Sequence, residues 1–290
     1  AGNHDAGSAM VSALWLSLIL AILSIGMITL SQDTLIEIKT RQKLEKAWLQ
    51  SESGLSIAKF NIAKRQNPWA PRQEPYIASI NASDIQIYII SPRGKVDINH
   101  ASAALLGQLF SALGYSPDRA AKLSDSILDW RDPDDLERLN GAEKTAYRSA
   151  GLTFGPANRP FNTVPELRGV LGISYADYQC VFPFLTTFSQ NPNLEPAYVV
   201  EPLRELMGLP PGTDNLDVSF RRSSLAGQVF EISAYAPYSE YTFARVTEVI
   251  RYTGIPSDPI WVHRQDRTMV KAGAKQQAVD LTYCPLDKKQ

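Results

Sequence analysis

Residues 9–30 read AMVSALWLSLILAILSIGMITL, 22 consecutive positions without a charged side chain. A helix of that length covers the roughly 30 Å hydrocarbon core of a bilayer at 1.5 Å per residue. Ser12, Ser17, Ser24 and Thr29 can return their hydroxyls to carbonyls one turn back, so they do not oppose insertion. A cleavable signal peptide has a shorter apolar stretch, about 7–15 residues, followed by a small-residue cleavage site. Here the helical pattern continues through SQDTLIEIKTRQKLEKAWLQSESGLSIAKFNIAKRQ, residues 31–66, without a proline. Leu44, Trp48, Leu55, Ala58 and Ile62 recur at spacings of three, four or seven, which places them on one stripe of an amphipathic helix. Pro68 ends it. The pattern predicts one unbroken helix over 9–66, about 85 Å long. Its first half seeks lipid or sister helices, and its second half backs a folded head.

The whole chain has 290 residues, with 29 Lys plus Arg against 30 Asp plus Glu and a net charge of -1. That is room for two structural units and gives polyanion binding no support. The two cysteines, Cys180 and Cys284, form no CxxC or zinc pattern. Cys180 lies in an apolar run that suits a buried free thiol, whereas an oxidising compartment would allow the two to pair; the sequence leaves both readings open. The three histidines lack metal-ligand spacing, and no G-x-S-x-G, P-loop or HExxH is present, so nothing here points to catalysis.

After Pro68 the elements shorten. DIQIYII (84–90) and KVDI (95–98), separated by the turn SPRG, read as strands, as do QVFEISAYAPY, EYTFARVTEVIRYTG and PIWVHRQD near the other end. We expect these pieces to form one antiparallel sheet on the long helix. Between them lies a helical stretch, about Asn99 to Leu209. Two helices meet around Leu113-Gly114-Tyr115, and the same logic repeats at Leu171-Gly172-Ile173, a helix-hairpin-helix-like internal repeat. The expected organisation is a leader remnant (1–7), the long helix (8–66), the first part of an αβ head (67–98), an inserted α-helical domain (99–209), the second part of the head (210–270) and a flexible tail (271–290). The fold class is α+β.

Gly7 stands directly before the apolar run, and G-SAMVSALWLSLIL resembles a prepilin processing site, which would be cut between Gly7 and Ser8 by a prepilin peptidase. Ser12 then occupies the fifth mature position, where major pilins carry a glutamate that neutralises a neighbour's N-terminal amine inside the helix bundle. The leader AGNHDAG has no Lys or Arg, a departure from the usual basic leader. Together with WLQSESGLSIAKF, VDINHAS, SILDWRDPDD, RLNGAE and FNTVPELRGVLGIS, these residues resemble the K-type minor pseudopilin of type II secretion systems, over Gly7 to about Gln265. The resemblance implies a pilin-like αβ head with a helical domain inserted between strands, a single-pass inner-membrane protein with a periplasmic head, methylation of the processed N-terminus, and a place at the pseudopilus tip. It also implies I- and J-type minor pseudopilins as partners, other pseudopilins packed along the N-terminal helix, no enzymatic activity, and calcium in the helical domain. A tip subunit has nothing above it, which accounts for the missing charge at Ser12.

The acidic loop is where calcium would sit. Asp129, Asp132, Asp134, Asp135 and Glu137 crowd nine positions, and Glu143 follows six further on. Clustered hard oxygens are what Ca²⁺ needs, although the spacing is not that of an EF-hand. We take Asp129, Asp132, Asp134, Asp135 and Glu143 as the candidate ligands. The competing reading is a solvated loop, with Asp132 before Pro133 as a helix N-cap. Two other functions share the anchor. One is a membrane-tethered helix-hairpin-helix DNA receptor, but each turn has a single glycine, and residues 94–190 carry nine basic against eleven acidic side chains, so we expect no nucleic-acid partner. The other is a minor pilin of a type IV pilus, which gives no reason for an acidic hairpin domain.

Overall fold

The computed structural model describes residues 5–64, 66–199, 201–210, 225–271 and 284–288, with side chains left aside at 5–9, 25–35 and 287–288. Helix α1 runs unbroken from Asp5 to Ala63, three residues short of the expected end. Its large apolar side chains between Met10 and Leu23 are 50–70% exposed. Among the described residues no helix is long and apolar enough to cross a membrane. The expected span relied on side chains 25–30, which lie outside the described ones, and the described run from 10 to 24 falls short of the about 20 positions a span requires.

The second half of α1 lies on a five-stranded, wholly antiparallel sheet. Its strands are β1 (Tyr76–Ile80), β2 (Ser83–Ile90), β5 (Val229–Ser239), β6 (Thr242–Ile255) and β7 (Asp258–Lys271), in spatial order β1-β2-β5-β6-β7. Leu55, Ala58 and Ile62 of the predicted stripe are fully buried against Ile85, Ile87, Ile232, Val246 and Ile250, while Trp48 packs at the edge. Each such apolar side chain contributes roughly 1.5–3 kcal/mol on burial. Gly54 permits the close approach: a Cβ there would stand 2.9 Å from Ile85 Cγ2 and 3.1 Å from Ala234 Cβ. Polar contacts fix the register of helix on sheet. Ser51 Oγ donates to the Ala244 carbonyl at 2.8 Å, Tyr252 donates to the Lys59 carbonyl at 2.6 Å, and Lys59 Nζ donates to Glu248 at 2.8 Å.

The chain leaves this sheet after β2 and returns at β5. In between it builds a second apolar cluster from α2 (Ala103–Ala112), α3 (Pro117–Arg131), α4 (Lys144–Ser149), α5 (Tyr175–Val181) and α6 (Leu203–Leu206). Ser102 and Ser116 cap α2 and α3 by accepting from Leu105 N and Arg119 N. The turns at Gly114 and Gly172 both take φ of +89°, a conformation glycine adopts without steric cost. The first arm of the second hairpin is a 3₁₀ turn, Val164–Gly169, rather than an α-helix.

Two strand expectations need correction. Lys95–Ile98 does not join the main sheet. Its Val96–Asp97 (β3) pairs in parallel with Leu185–Thr186 (β4), closing the helical unit on itself. Asp97, 1% exposed, anchors that junction by accepting from Asn99 N and Gln190 N. The sheet's first strand, β1, was not expected. It pairs with β2 through a turn at Asn81 and Ala82, both at positive φ. Cys180 and Cys284 form a disulfide across 104 positions, so the expected flexible tail is tied to α5 at Cys284; residues 272–283 and 289–290 lie outside the described ones.

Candidate cation site

Helix α3 turns Leu123, Ile127 and Trp130 into the helical core and buries Asp129 with them at 0% exposure. A buried carboxylate needs compensation. Asp129 Oδ2 obtains part of it by accepting from Arg138 N at 3.2 Å and Ala142 N at 2.8 Å, so the loop 132–142 wraps around it. Gly141 makes the wrap possible: a Cβ there would fall 1.9 Å from Asp129 Oδ2. Asp125 Oδ2 pins the same loop through Asn140 N and Nδ2.

Asp132 stands at the C-cap of α3, its N–H donating to Leu128 O, and does not cap a following helix. Glu143 occupies the N-cap position of α4 without making a side-chain cap bond, and is 4% exposed. One oxygen from each of Asp129, Asp132 and Glu143 lies within 4.8 Å of the others. Asp129 Oδ1, Asp132 Oδ1 and both Glu143 oxygens are buried without a hydrogen-bond partner. Arg138 stands at the rim, with Nε 3.3 Å from Asp129 Oδ1 and Nη2 3.6 Å from Asp132 Oδ2. Burial, with Asp129, Asp132 and Asp135 adding repulsion, pushes Glu143 up to about 7. Burial likewise raises Asp129 and Asp132. Three carboxylates each disfavouring their own ionisation, with unused oxygens facing one another, suit a hard divalent cation. Oxygens that bind Ca²⁺ at 2.3–2.6 Å stand no more than about 5 Å apart, which the observed spacing meets.

Of the predicted ligands, Asp129, Asp132 and Glu143 converge, whereas Asp134 and Asp135 do not. Asp134 Oδ1 accepts from Leu136 N at 2.9 Å, and Asp135 Oδ1 accepts from Asn158 Nδ2 at 3.0 Å. Asn158 and Gly141 were missed in the sequence. Asn158 joins the loop to α3 by donating its N–H to Trp130 O, and its Oδ1 is another buried oxygen without a partner. The glycine of RLNGAE was the available signal for Gly141. Gly7 and Ser8 fall in the first turns of α1 and Ser12 is exposed on it, an element that carries none of the carboxylates.

Residues 77–190 match the family described as Type II secretion system (T2SS), protein K. Type II secretion system protein K of Dickeya chrysanthemi is 34% identical over 84 residues, covering 29% of this chain and 23% of that protein. Its counterpart from Klebsiella pneumoniae is 35% identical over 89 residues, covering 31% and 27%. The matched stretch thus spans about a quarter of these relatives' length. The fold is similar to a chain in the crystal structure of the GspK-GspI-GspJ complex from the type 2 secretion system of enterotoxigenic Escherichia coli. That likeness has a TM-score of 0.53 at 16% identity and covers 80% of this chain and 99% of that one.

Proposed function

We propose, starting from the match of residues 77–190 to the type II secretion protein K family, that the chain acts as a non-enzymatic minor pseudopilin of the K type. The observation that carries this reading is the division of α1. From Ala47 onward it is buried on the sheet, while from Met10 to Leu23 its leucines, isoleucines and tryptophan have no cover. Apolar side chains in that number require lipid or like helices around them. In this reading the first half of α1 anchors the chain in the inner membrane, with the head periplasmic, and then bundles with equivalent helices of I- and J-type minor pseudopilins. A prepilin peptidase cuts between Gly7 and Ser8, and Ser12 leaves the fifth position without a register charge, so the subunit caps the pseudopilus and starts its assembly. The packing of α1 on an antiparallel sheet, with the helical unit falling in the chain between β2 and β5, supports this, as does a disulfide, which persists in an oxidising compartment.

Calcium belongs to the proposal. Asp129, Asp132 and Glu143 would hold it, and its charge would let three buried carboxylates ionise together. The chain's own part is to aim them: Gly141 admits the loop, and the amides of Arg138 and Ala142 orient Asp129. The DNA-receptor alternative loses ground at its own turn, since the backbone of Pro285 and Leu286 lies over Gly114, where a Cβ would be 2.9 Å from it. The test is to mix the purified full-length chain with an I-type and a J-type pseudopilin and size the products by light scattering. A stoichiometric complex is expected; a chain that stays monomeric beside both would overturn the assignment.

A further inference from the structure

A cleft of about 550 Å³ separates the helical unit from the sheet face turned away from α1, a volume typical of small-ligand sites. Val246 and Ile250 of β6 face α1, so the alternate residues Arg245, Thr247 and Val249 form the cleft floor, beside Tyr88, Ser233 and Tyr235. The opposite wall is Pro165, Phe182, Pro183 and Phe188. One side is therefore apolar and the other carries hydroxyls and charge.

The charges do not balance. Lys95, Arg245 and Arg264 face the cleft against Glu231 and Asp266, while Arg267, opposite Val246 in the register, lies on the α1 side of the sheet. Lys95 pairs with Glu231 at 2.8 Å, and Arg264 Nε lies 2.7 Å from Asp266. Arg267 turns outward to Glu52 on α1. Arg245 lies over the Tyr235 ring, 6.0 Å from its centroid, within hydrogen-bonding reach of the Tyr235 hydroxyl and in the field of Glu231, but forms no salt bridge of its own among the described residues. One buried polar atom of the lining, Thr187 Oγ1, has no hydrogen-bond partner among the described residues. A buried hydroxyl without an acceptor is costly, and an acceptor from outside would satisfy it.

We propose that this cleft binds a carboxylate carried on an apolar body, with Arg245 holding the carboxylate and the proline–aromatic wall holding the body. A single surplus cation suits a monoanion, and the retained Glu231 and Asp266 would repel a dianion. Both a small organic acid and the C-terminus of a polypeptide have this chemistry. The test uses the full chain in nanodiscs, with methyl resonances of Val164, Leu185 and Val249 followed by NMR. Three probes are titrated: phenylacetate, N-acetyl-Ala-Phe with a free carboxylate, and the amide of that dipeptide. The carboxylates are expected to shift these methyls with dissociation constants about tenfold below that of the amide. Arg245→Gln should weaken the acids about tenfold and leave the amide unchanged. Should that variant fold poorly, Arg245→Met, checked by circular dichroism, reads out the same loss. Tighter binding of the dipeptide acid assigns the cleft to chain ends, and tighter phenylacetate assigns it to free acids. Equal affinity for acid and amide, insensitivity of the acid to both variants, or no shift at 10-millimolar probe concentrations (about 100 times a 0.1-millimolar constant) overturns the proposal.

Discussion

Replacing Glu143 with glutamine separates the cost of charge at the carboxylate cluster from the gain in holding a cation. Glu143 is 4% exposed, and burial together with its acidic neighbours moves it from the ordinary 4.5 to about 7. An acid whose folded pKa is raised holds its proton more tightly in the folded state. Its contribution to stability is therefore complete below about 4.5 and is lost as pH rises through about 7. At 1.36 kcal/mol per unit the loss is about 3 kcal/mol, which corresponds to roughly 6–12 °C in Tm for a chain of this size class. With the cation chelated, the wild-type Tm should fall between pH 5 and pH 8. Glu143→Gln, neutral throughout, should flatten that slope and unfold later than wild type at pH 8. Calcium at about 100 times its dissociation constant should restore about 2.7 kcal/mol to the wild type and much less to the variant. The assay is thermal unfolding followed by circular dichroism, with chelator or with calcium, at several pH values. A flat wild-type profile in chelator, or a variant less stable than wild type at pH 8 without calcium, would show that Glu143 carries no such burial cost.

Gly141→Ala forces a methyl to within 1.9 Å of Asp129 Oδ2, so the loop must shift; a loss of about 2–4 kcal/mol and of calcium affinity is expected, checked by chemical unfolding and metal titration. Reducing the Cys180–Cys284 disulfide releases a closure of 104 positions and should lower stability by about 2–5 kcal/mol, visible as a drop in Tm on adding dithiothreitol and absent in Cys180→Ser. Lys59→Met leaves Glu248, whose side chain is 9% exposed, without its cation, and should cost about 1–3 kcal/mol in urea unfolding by loosening α1 from the sheet.

Helix α1 was readable over nearly its whole length because apolar spacing, absence of proline and the stop at Pro68 all agreed. The strands β5, β6 and β7 were readable for a similar reason, since alternation in EYTFARVTEV persists over enough residues to exclude a helix. β1 was not, because YIASI is short and its turn uses Asn81-Ala82 at positive φ, a pair that lacks the usual glycine. Lys95–Ile98 has strand composition, but its partner is Leu185–Thr186, and no local pattern reveals a parallel pairing across nearly ninety positions. At the cation site, the density of carboxylates located the loop. Which of them converge depends on how that loop folds back: Asp129 is drawn inward by the apolar face of α3, while Asp134 and Asp135 are spent on Leu136 N and Asn158. Gly141 and Asn158 act through space and through a backbone conformation, neither of which their spacing announces. The disulfide overturns the free-thiol reading that the apolar run around Cys180 favoured, because its partner Cys284 comes from 104 positions away and nothing near Cys180 announces it.

The proposed place of this chain at a fibre tip has one direct test. Sheared pseudopili decorated with gold-labelled antibody against the helical unit, viewed by electron microscopy, give the most direct answer. One label at one end of each fibre is the predicted result; labels spaced along the shaft, or fibres of normal length and number from cells lacking this chain, would contradict it.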